Sequence, residues 1–107
     1  MTNGKVHAKG IDARVRQIIK DEGHHILAIL KNVEYADKSS IPYIYGEIDI
    51  LKLYNYGKVG IEEVKTSERG LNKAMEQLTR AKQVFKFYDP HMIAYIINGN
   101  KVINYGF

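Results

Sequence analysis

The first regular pattern of hydrophobic and polar positions along the chain has a helical period. Between residues 10 and 23 apolar positions recur three or four residues apart, and polar positions fill the other face. The apolar positions are Ile11, Val15, Ile18 and Ile19, and the polar ones are Arg14, Arg16, Gln17 and Lys20. Glycine tolerates the left-handed conformation that commonly closes a helix, so Gly23 is the predicted end. A strand is then predicted at residues 24–30.

The middle of the chain has the pattern of a loop followed by a hairpin. Residues 32–42 are polar and contain Pro42, which predicts a loop. Residues 43–54 and 58–65 are rich in β-branched and aromatic side chains, and the sequence NYG between them is typical of a turn. Two adjacent strands are therefore predicted here.

The last third of the chain returns to a helical period and then to alternation. Apolar residues mark one face of a helix predicted from Leu71 to near Tyr88, and Pro90 closes it. Residues 92–97 and 101–105 flank the turn sequence NGN and are predicted to form a second hairpin. The predicted order is α-β-β-β-α-β-β, which indicates a single α/β domain over residues 1–107, with a mixed sheet flanked by helices.

Composition narrows the chemistry that such a domain could perform. The 107 residues include no cysteine, so any metal would be held by oxygen or imidazole ligands. No apolar run approaches the roughly 20 residues of a membrane span, and residues 1–9 lack a hydrophobic signal segment. We therefore expect an intracellular, cytoplasmic protein without a membrane partner.

The charge of the chain favours a polyanionic partner. Lys and Arg outnumber Asp and Glu by 16 to 12, giving a formal net charge of +4. Basic residues are concentrated on the two predicted helices, and the candidates for DNA contacts are Arg14, Arg69, Lys73 and Arg80. Contacts of this kind bind the phosphate backbone without reading sequence. The alternative is that these side chains form ordinary solvated helix faces.

Two acids and a lysine are predicted to converge on the central hairpin. Side chains alternate faces along a strand, so Glu63 and Lys65 project together, and pairing of the hairpin brings Asp49 towards Glu63. In this arrangement Ile48, Ile50 and Val64 point to the opposite, buried face.

The two carboxylates call for a cation. At about 4 Å they repel each other by roughly 4 kcal/mol at an effective dielectric of 20, and Mg²⁺, which takes one or two protein carboxylates, fits such a pair. Asp49, Glu63 and Lys65 are therefore candidate catalytic residues, with the two acids as metal ligands. The alternative is an exposed, solvated hairpin face. Glu62 alternates away and is predicted to be structural or solvent-facing, and the four histidines show no paired ligand spacing.

The run Gly46-Glu47-Ile48-Asp49-Ile50 followed by Glu63-Val64-Lys65 resembles the core of the PD-(D/E)XK nuclease superfamily, particularly archaeal Holliday-junction resolvases and RecB-like nucleases. The proline of the family name is replaced by Ile48. The resemblance implies a restriction-endonuclease-like fold and an acid from the first helix as a further metal ligand. Asp12, at the predicted helix start, matches that acid, although the family usually has glutamate; an N-cap is the alternative role.

The resemblance also implies that the second helix lines the cleft. RecB-like members carry a glutamine there, which Gln77 matches as a candidate catalytic residue, although Ala81 stands where those members have tyrosine. A simple surface position is the alternative for Gln77.

The function implied is a magnesium-dependent endonuclease, with Mn²⁺ as a substitute ion, that hydrolyses phosphodiesters in branched or structured DNA. The same resemblance predicts a homodimer and a place in DNA repair or recombination. The alternatives are a RecB-like single-strand exonuclease or nickase, and a catalytically inactive DNA-binding subunit.

Overall fold

The computed structural model describes residues 2–106, which form a five-stranded mixed sheet and two helices. The elements are α1 (Thr2–Glu22), β1 (Ile26–Asp37), β2 (Ile44–Tyr54), β3 (Val59–Lys65), α2 (Leu71–Val84), β4 (His91–Ile96) and β5 (Lys101–Tyr105). Short 3-10 turns precede β1, α2 and β4. The predicted mixed α/β fold is confirmed.

The sheet has the spatial order β1-β2-β3-β4-β5. Neighbouring strands are antiparallel except β3 and β4, which are parallel because α2 carries the chain back across the sheet between them. Neither helix of the described chain combines the length and apolar character needed to cross a bilayer.

Each helix covers its own hydrophobic cluster. The cluster beneath α1 contains Ile11, Ile18, Ile50, Val64 and Tyr95. The cluster beneath α2 contains Ala74, Leu78 and Ala81 of the helix, with Ile48, Leu51, Val59, Ile61, Met92 and Ala94 of the sheet. The small alanines let α2 approach the sheet closely. The sheet is therefore buried on both faces at its centre, where it carries the candidate site.

Two predicted element boundaries are wrong by more than five residues, and both errors concern segments in which no described side chain is buried. The first helix begins at Thr2 rather than at residue 10, and residues 4–6, 8 and 9 are exposed on it, so this part has no apolar stripe to reveal it. Residues 32–37, predicted as loop, complete β1 by pairing with the first half of β2. They extend beyond the part of the sheet that β3 covers, and their apolar side chains Val33 and Tyr35 are only partly buried.

The predicted common face of Ile48, Ile50 and Val64 is also wrong in part. All three are buried, but Ile48 packs beneath α2 whereas Ile50 and Val64 pack beneath α1. The alternation of β2 is therefore broken at Asp49, between the two isoleucines. On the adjacent β1, Asn32 has a positive φ of 54° at the same level, which marks a local distortion of both strands.

A buried network of charges joins α1 to the sheet. Arg14 donates from Nε and an Nη to the two Glu62 oxygens at 2.7 and 3.1 Å, and the Lys52 ammonium lies 2.7 Å from the same carboxylate. The Arg14 guanidinium also lies over the Tyr95 ring, 5.0 Å from its centroid. Glu62 is fully buried, which confirms its predicted structural role and shows that Arg14 belongs to the core.

Gly10 lies at a close contact between α1 and the residues that follow β4. A Cβ at this position would lie 2.2 Å from Ile97 Cδ1, whereas a Cβ on Gly4 of the same helix would have no neighbour within 4 Å. Gly10→Ala is therefore expected to destabilise the protein by about 1–3 kcal/mol through overpacking. Gly4→Ala should be neutral or stabilising by up to about 1 kcal/mol through helix propensity. Urea unfolding of the two variants measures the difference; equal midpoints would contradict it.

Candidate active site

Asp49 and Glu63 lie where β2 and β3 separate. The last paired residues of these two strands are Ile50 and Glu62, so the acids follow immediately beyond the end of the ladder. The Asp49 carboxylate then replaces a backbone acceptor, because its Oδ2 accepts a hydrogen bond from the Val64 N–H at 2.8 Å. The structure thus brings the two predicted acids together, through a side-chain contact rather than through continued strand pairing.

Glu63 is held in an environment that disfavours its charge. Its side chain is 0% exposed, and neither carboxylate oxygen receives a hydrogen bond from a donor within the described part of the chain. Burial and, after it, the negative charge of Asp49 raise the pKa of Glu63 to about 9. Glu63 therefore keeps its proton at neutral pH unless a cation takes the place of that proton.

Lys65 supplies a compensating positive charge to the acid pair. Its ammonium lowers the pKa of Glu63, opposing burial and the repulsion from Asp49. Its aliphatic stem packs against Gly70 immediately before α2, where a Cβ would meet Lys65 carbons at about 2.9 Å. The start of α2 therefore restricts the position of Lys65 beside the acid pair.

His7 is part of this site, and its role was not predicted from the sequence. Its Nε2 donates to the Val64 carbonyl at 2.9 Å and lies 3.2 Å from Asp49 Oδ2. Because a carbonyl only accepts, Nε2 must carry a proton. The signal for His7 was its spacing: it lies four residues before Ile11 and shares the sheet-facing side of α1 with Ile11 and Ile18.

Asp12 does not occupy the place predicted for it. It lies in the middle of α1 rather than at its start, so an N-cap role is also excluded. Its Oδ1 accepts a hydrogen bond from the Lys31 ammonium at 2.7 Å, and that hydrogen bond and charge lower the Asp12 pKa. Asp12 points along the exposed side of the helix towards β1, and His7 is the α1 residue that reaches Asp49.

The four predicted DNA contacts divide into two groups. Arg14 is only 5% exposed and is bound to Glu62, so its predicted role in contacting DNA is wrong. Arg69, Lys73 and Arg80 are exposed on and just before α2, and none forms an ion pair within residues 2–106. These three remain available to an anionic partner.

Gln77 is half-buried on α2. Its side-chain oxygen is buried and accepts no hydrogen bond from the described residues, and it makes none with Asp49, Glu63 or Lys65. The structure therefore shows a polar group of α2 that requires a partner, without joining it directly to the acid pair.

The donor set at the acid pair fits a hard divalent cation. Glu63 supplies two buried oxygens that receive no hydrogen bond from the described residues. Asp49 and the Val64 carbonyl supply further oxygens, and His7 Nε2 contacts both of these groups. No group of three or more His, Cys, Asp or Glu side chains in a metal-holding arrangement occurs within residues 2–106. Two carboxylates supplemented by neutral oxygens and water form a coordination shell that Mg²⁺ accepts.

The raised pKa of Glu63 predicts how stability changes with pH. A group whose pKa rises from 4.5 to about 9 on folding contributes stability that is fully present below pH 4.5 and is lost as pH rises through 9. Without divalent ions, the free energy of unfolding should therefore fall between pH 5 and 9 by several kcal/mol, at about 1.4 kcal/mol for each unit of pKa shift. Urea unfolding in a chelating buffer across this range measures the slope, which Glu63→Gln should remove.

Comparison with known proteins adds no assignment. No family model matches the chain, and no curated protein matches it.

Proposed function

We propose that this protein is a magnesium-dependent DNA nuclease of the PD-(D/E)XK type with a restriction-endonuclease-like fold. The observation that carries the proposal is the buried Asp49–Glu63 pair, in which both Glu63 oxygens lack a hydrogen-bond donor within the described chain while Lys65 lies close by. A pair of this kind is unfavourable unless a proton or a cation compensates it. The order of helices and strands is compatible with the fold that the sequence resemblance implies.

Asp49, Glu63 and the Val64 carbonyl would hold the ion, with His7 at the edge of the site. When bound there, Mg²⁺ or Mn²⁺ would polarise the scissile phosphodiester and promote deprotonation of the attacking water. Asp49 is kept in place by the Val64 N–H, and His7 fixes the Val64 carbonyl from the other side. The protein thus presents its oxygen atoms in one preset arrangement.

Lys65 would act on the substrate. Its ammonium would stabilise the negative charge that develops on the phosphoryl oxygens during hydrolysis. Because Gly70 limits where the Lys65 stem can lie, little reorganisation is required when the phosphate enters.

DNA would approach across α2. Arg69, Lys73 and Arg80 offer exposed positive charge to the phosphate backbone, which gives affinity without sequence selectivity. The choice of branched or structured DNA, a homodimer and a role in repair or recombination follow from the resemblance to Holliday-junction resolvases. A RecB-like exonuclease or nickase would use the same chemistry on a different DNA end or strand.

The test is a cleavage assay on four-way junction, flap, single-stranded and duplex DNA, with Mg²⁺, with Mn²⁺ and with chelator. We expect metal-dependent cleavage that Lys65→Ala lowers by about 10²–10³-fold, the loss that follows removal of one group stabilising transition-state charge. Lys58→Ala is the matched control, because Lys58 lies just before the first residue of β3, at the end of the strand opposite to Lys65, and pairs with the exposed Asp89.

If all four DNA substrates stay intact with either metal, the nuclease proposal fails. DNA binding without any cleavage would instead support an inactive DNA-binding subunit of the same fold.

A further inference from the structure

The paired strands β1 and β2 extend well beyond β3. Their ladder continues to Asp37 and Ile44, whereas the ladder between β2 and β3 stops at Ile50. The projecting segments, residues 32–37 and 44–49, form a two-stranded arm beside α2. Between the arm and α2 lies an open groove of about 690 Å³. Its lining includes Tyr43, Tyr45, Met75, Glu76, Thr79 and Arg80.

Tyr43 and Tyr45 offer free aromatic faces to this groove. They are 62% and 71% exposed, and neither ring packs against another aromatic ring within the described chain. Tyr56 differs, since it is similarly exposed at 60% but stacks on Tyr54 with ring centroids 5.2 Å apart. Exposed rings of this kind are platforms on which unpaired bases stack.

The charges beside the arm favour one path for a phosphate backbone. On the α2 side, Arg80 lines the groove with Lys73 exposed on the same helix, against the single acid Glu76. The other groove along the arm is lined by Glu34 and Glu47, which would repel phosphate. A polyanionic strand in contact with the arm is therefore favoured on the α2 side.

Strand β2 connects the groove with the acid pair. Ile44 and Tyr45 line the groove, and Asp49 follows Tyr45 four residues further along the same strand. At about 3.3 Å per residue, this separation is about 13 Å along the strand. A DNA strand bound in the groove therefore lies along the part of β2 that leads to Asp49.

We propose that the groove between the arm and α2 binds an unpaired strand of DNA, whose bases stack on Tyr43 and Tyr45 and whose phosphate is bound by Arg80. The inference deepens the proposed nuclease function, on which it rests, by specifying an unpaired strand next to the scissile phosphate. In a duplex the bases are stacked on one another and have no free face for the tyrosines. Continuous duplex should therefore bind through phosphate contacts alone.

The experiment measures binding without cleavage. Fluorescence anisotropy with chelator present compares a labelled oligo(dT) strand with a duplex of equal length. The double variant Tyr43→Ala/Tyr45→Ala should bind oligo(dT) about tenfold or more weakly, with duplex binding unchanged. The double variant Tyr43→Phe/Tyr45→Phe retains both rings and should bind like the wild type, and so should Tyr56→Ala.

Arg80→Gln should weaken binding to both DNAs and reduce the salt dependence of each by about one counterion. The proposal is overturned if the alanine double variant binds oligo(dT) as the wild type does, or if it loses duplex binding to the same extent. Cleavage is scored separately. If binding depends on the tyrosines but no metal-dependent cleavage occurs, the nuclease proposal fails and the groove proposal stands. If cleavage occurs and the tyrosine variants do not affect it, only the groove proposal fails.

Discussion

Replacing Glu63 by glutamine is expected to abolish metal-dependent DNA cleavage while stabilising the metal-free protein above neutral pH. Glutamine is nearly isosteric with glutamate and is neutral at every pH, whereas the folded protein must hold a proton on Glu63 up to its pKa of about 9. At pH 8 the gain in unfolding free energy should amount to several kcal/mol, at about 1.4 kcal/mol for each unit of pKa shift. Cleavage should fall below detection, because the site loses an anionic ligand for the ion.

The measurements are unfolding in urea with and without Mg²⁺, paired with the cleavage assay. Wild type should gain stability when Mg²⁺ is added, whereas Glu63→Gln should gain little, because ligand binding stabilises only a native state that binds the ligand. Glu47→Gln is the matched control, since Glu47 is an exposed acid on the same strand as Asp49. A Glu63→Gln variant that is less stable than wild type at pH 8 in chelator would contradict this account of the acid pair.

Replacing Glu62 by alanine is expected to have the largest effect on folding. The substitution leaves Arg14 and Lys52 buried with their shared counter-charge removed, and breaking a buried ion pair in this way costs about 3–5 kcal/mol. Glu47→Ala serves again as the exposed comparison, with a change within about 0.5 kcal/mol. Thermal and urea unfolding of both variants measure the difference.

A companion variant keeps this prediction testable if Glu62→Ala does not fold. Replacing the whole network by apolar residues, Arg14→Met with Lys52→Met and Glu62→Leu, removes all three charges together. Such exchanges are often neutral or stabilising. The triple variant should therefore be more stable than Glu62→Ala, and the opposite order would show that the charges are not the reason for the loss.

The sequence pattern predicts the parts of the fold that bury apolar side chains. The stripe of α2 is read correctly because Ala74, Leu78 and Ala81 face the sheet. Residues 4–9 of α1 were missed because nearly all of their side chains are exposed and form no apolar stripe. Residues 32–37 do alternate, with Val33 and Tyr35 packed partly against the core, but two apolar positions were outweighed by the polar residues that follow them.

The candidate site could be predicted only in the part that strand alternation controls. Glu63 and Lys65 are two residues apart on one strand, and their side chains act on each other as expected. The sequence did not reveal that His7, rather than Asp12, is the residue of α1 that contacts Asp49. That contact depends on where α1 starts and on which of its sides faces the sheet, and an apolar stripe that begins at Ile11 determines neither. The burial of Arg14 could not be predicted from charge, because its partner Glu62 lies 48 residues away in sequence.

The backbone of Val64 links three distant parts of the chain, because its N–H donates a hydrogen bond to Asp49 and its carbonyl accepts one from His7. Its amide proton is thus protected by a side chain at the end of a strand ladder rather than by a neighbouring strand. Local opening, not global unfolding, governs the exchange of such a proton with solvent deuterium. The hydrogen-exchange rate of the Val64 amide, measured by NMR, therefore reports how often the site opens, and the measurement requires neither substrate nor catalytic turnover.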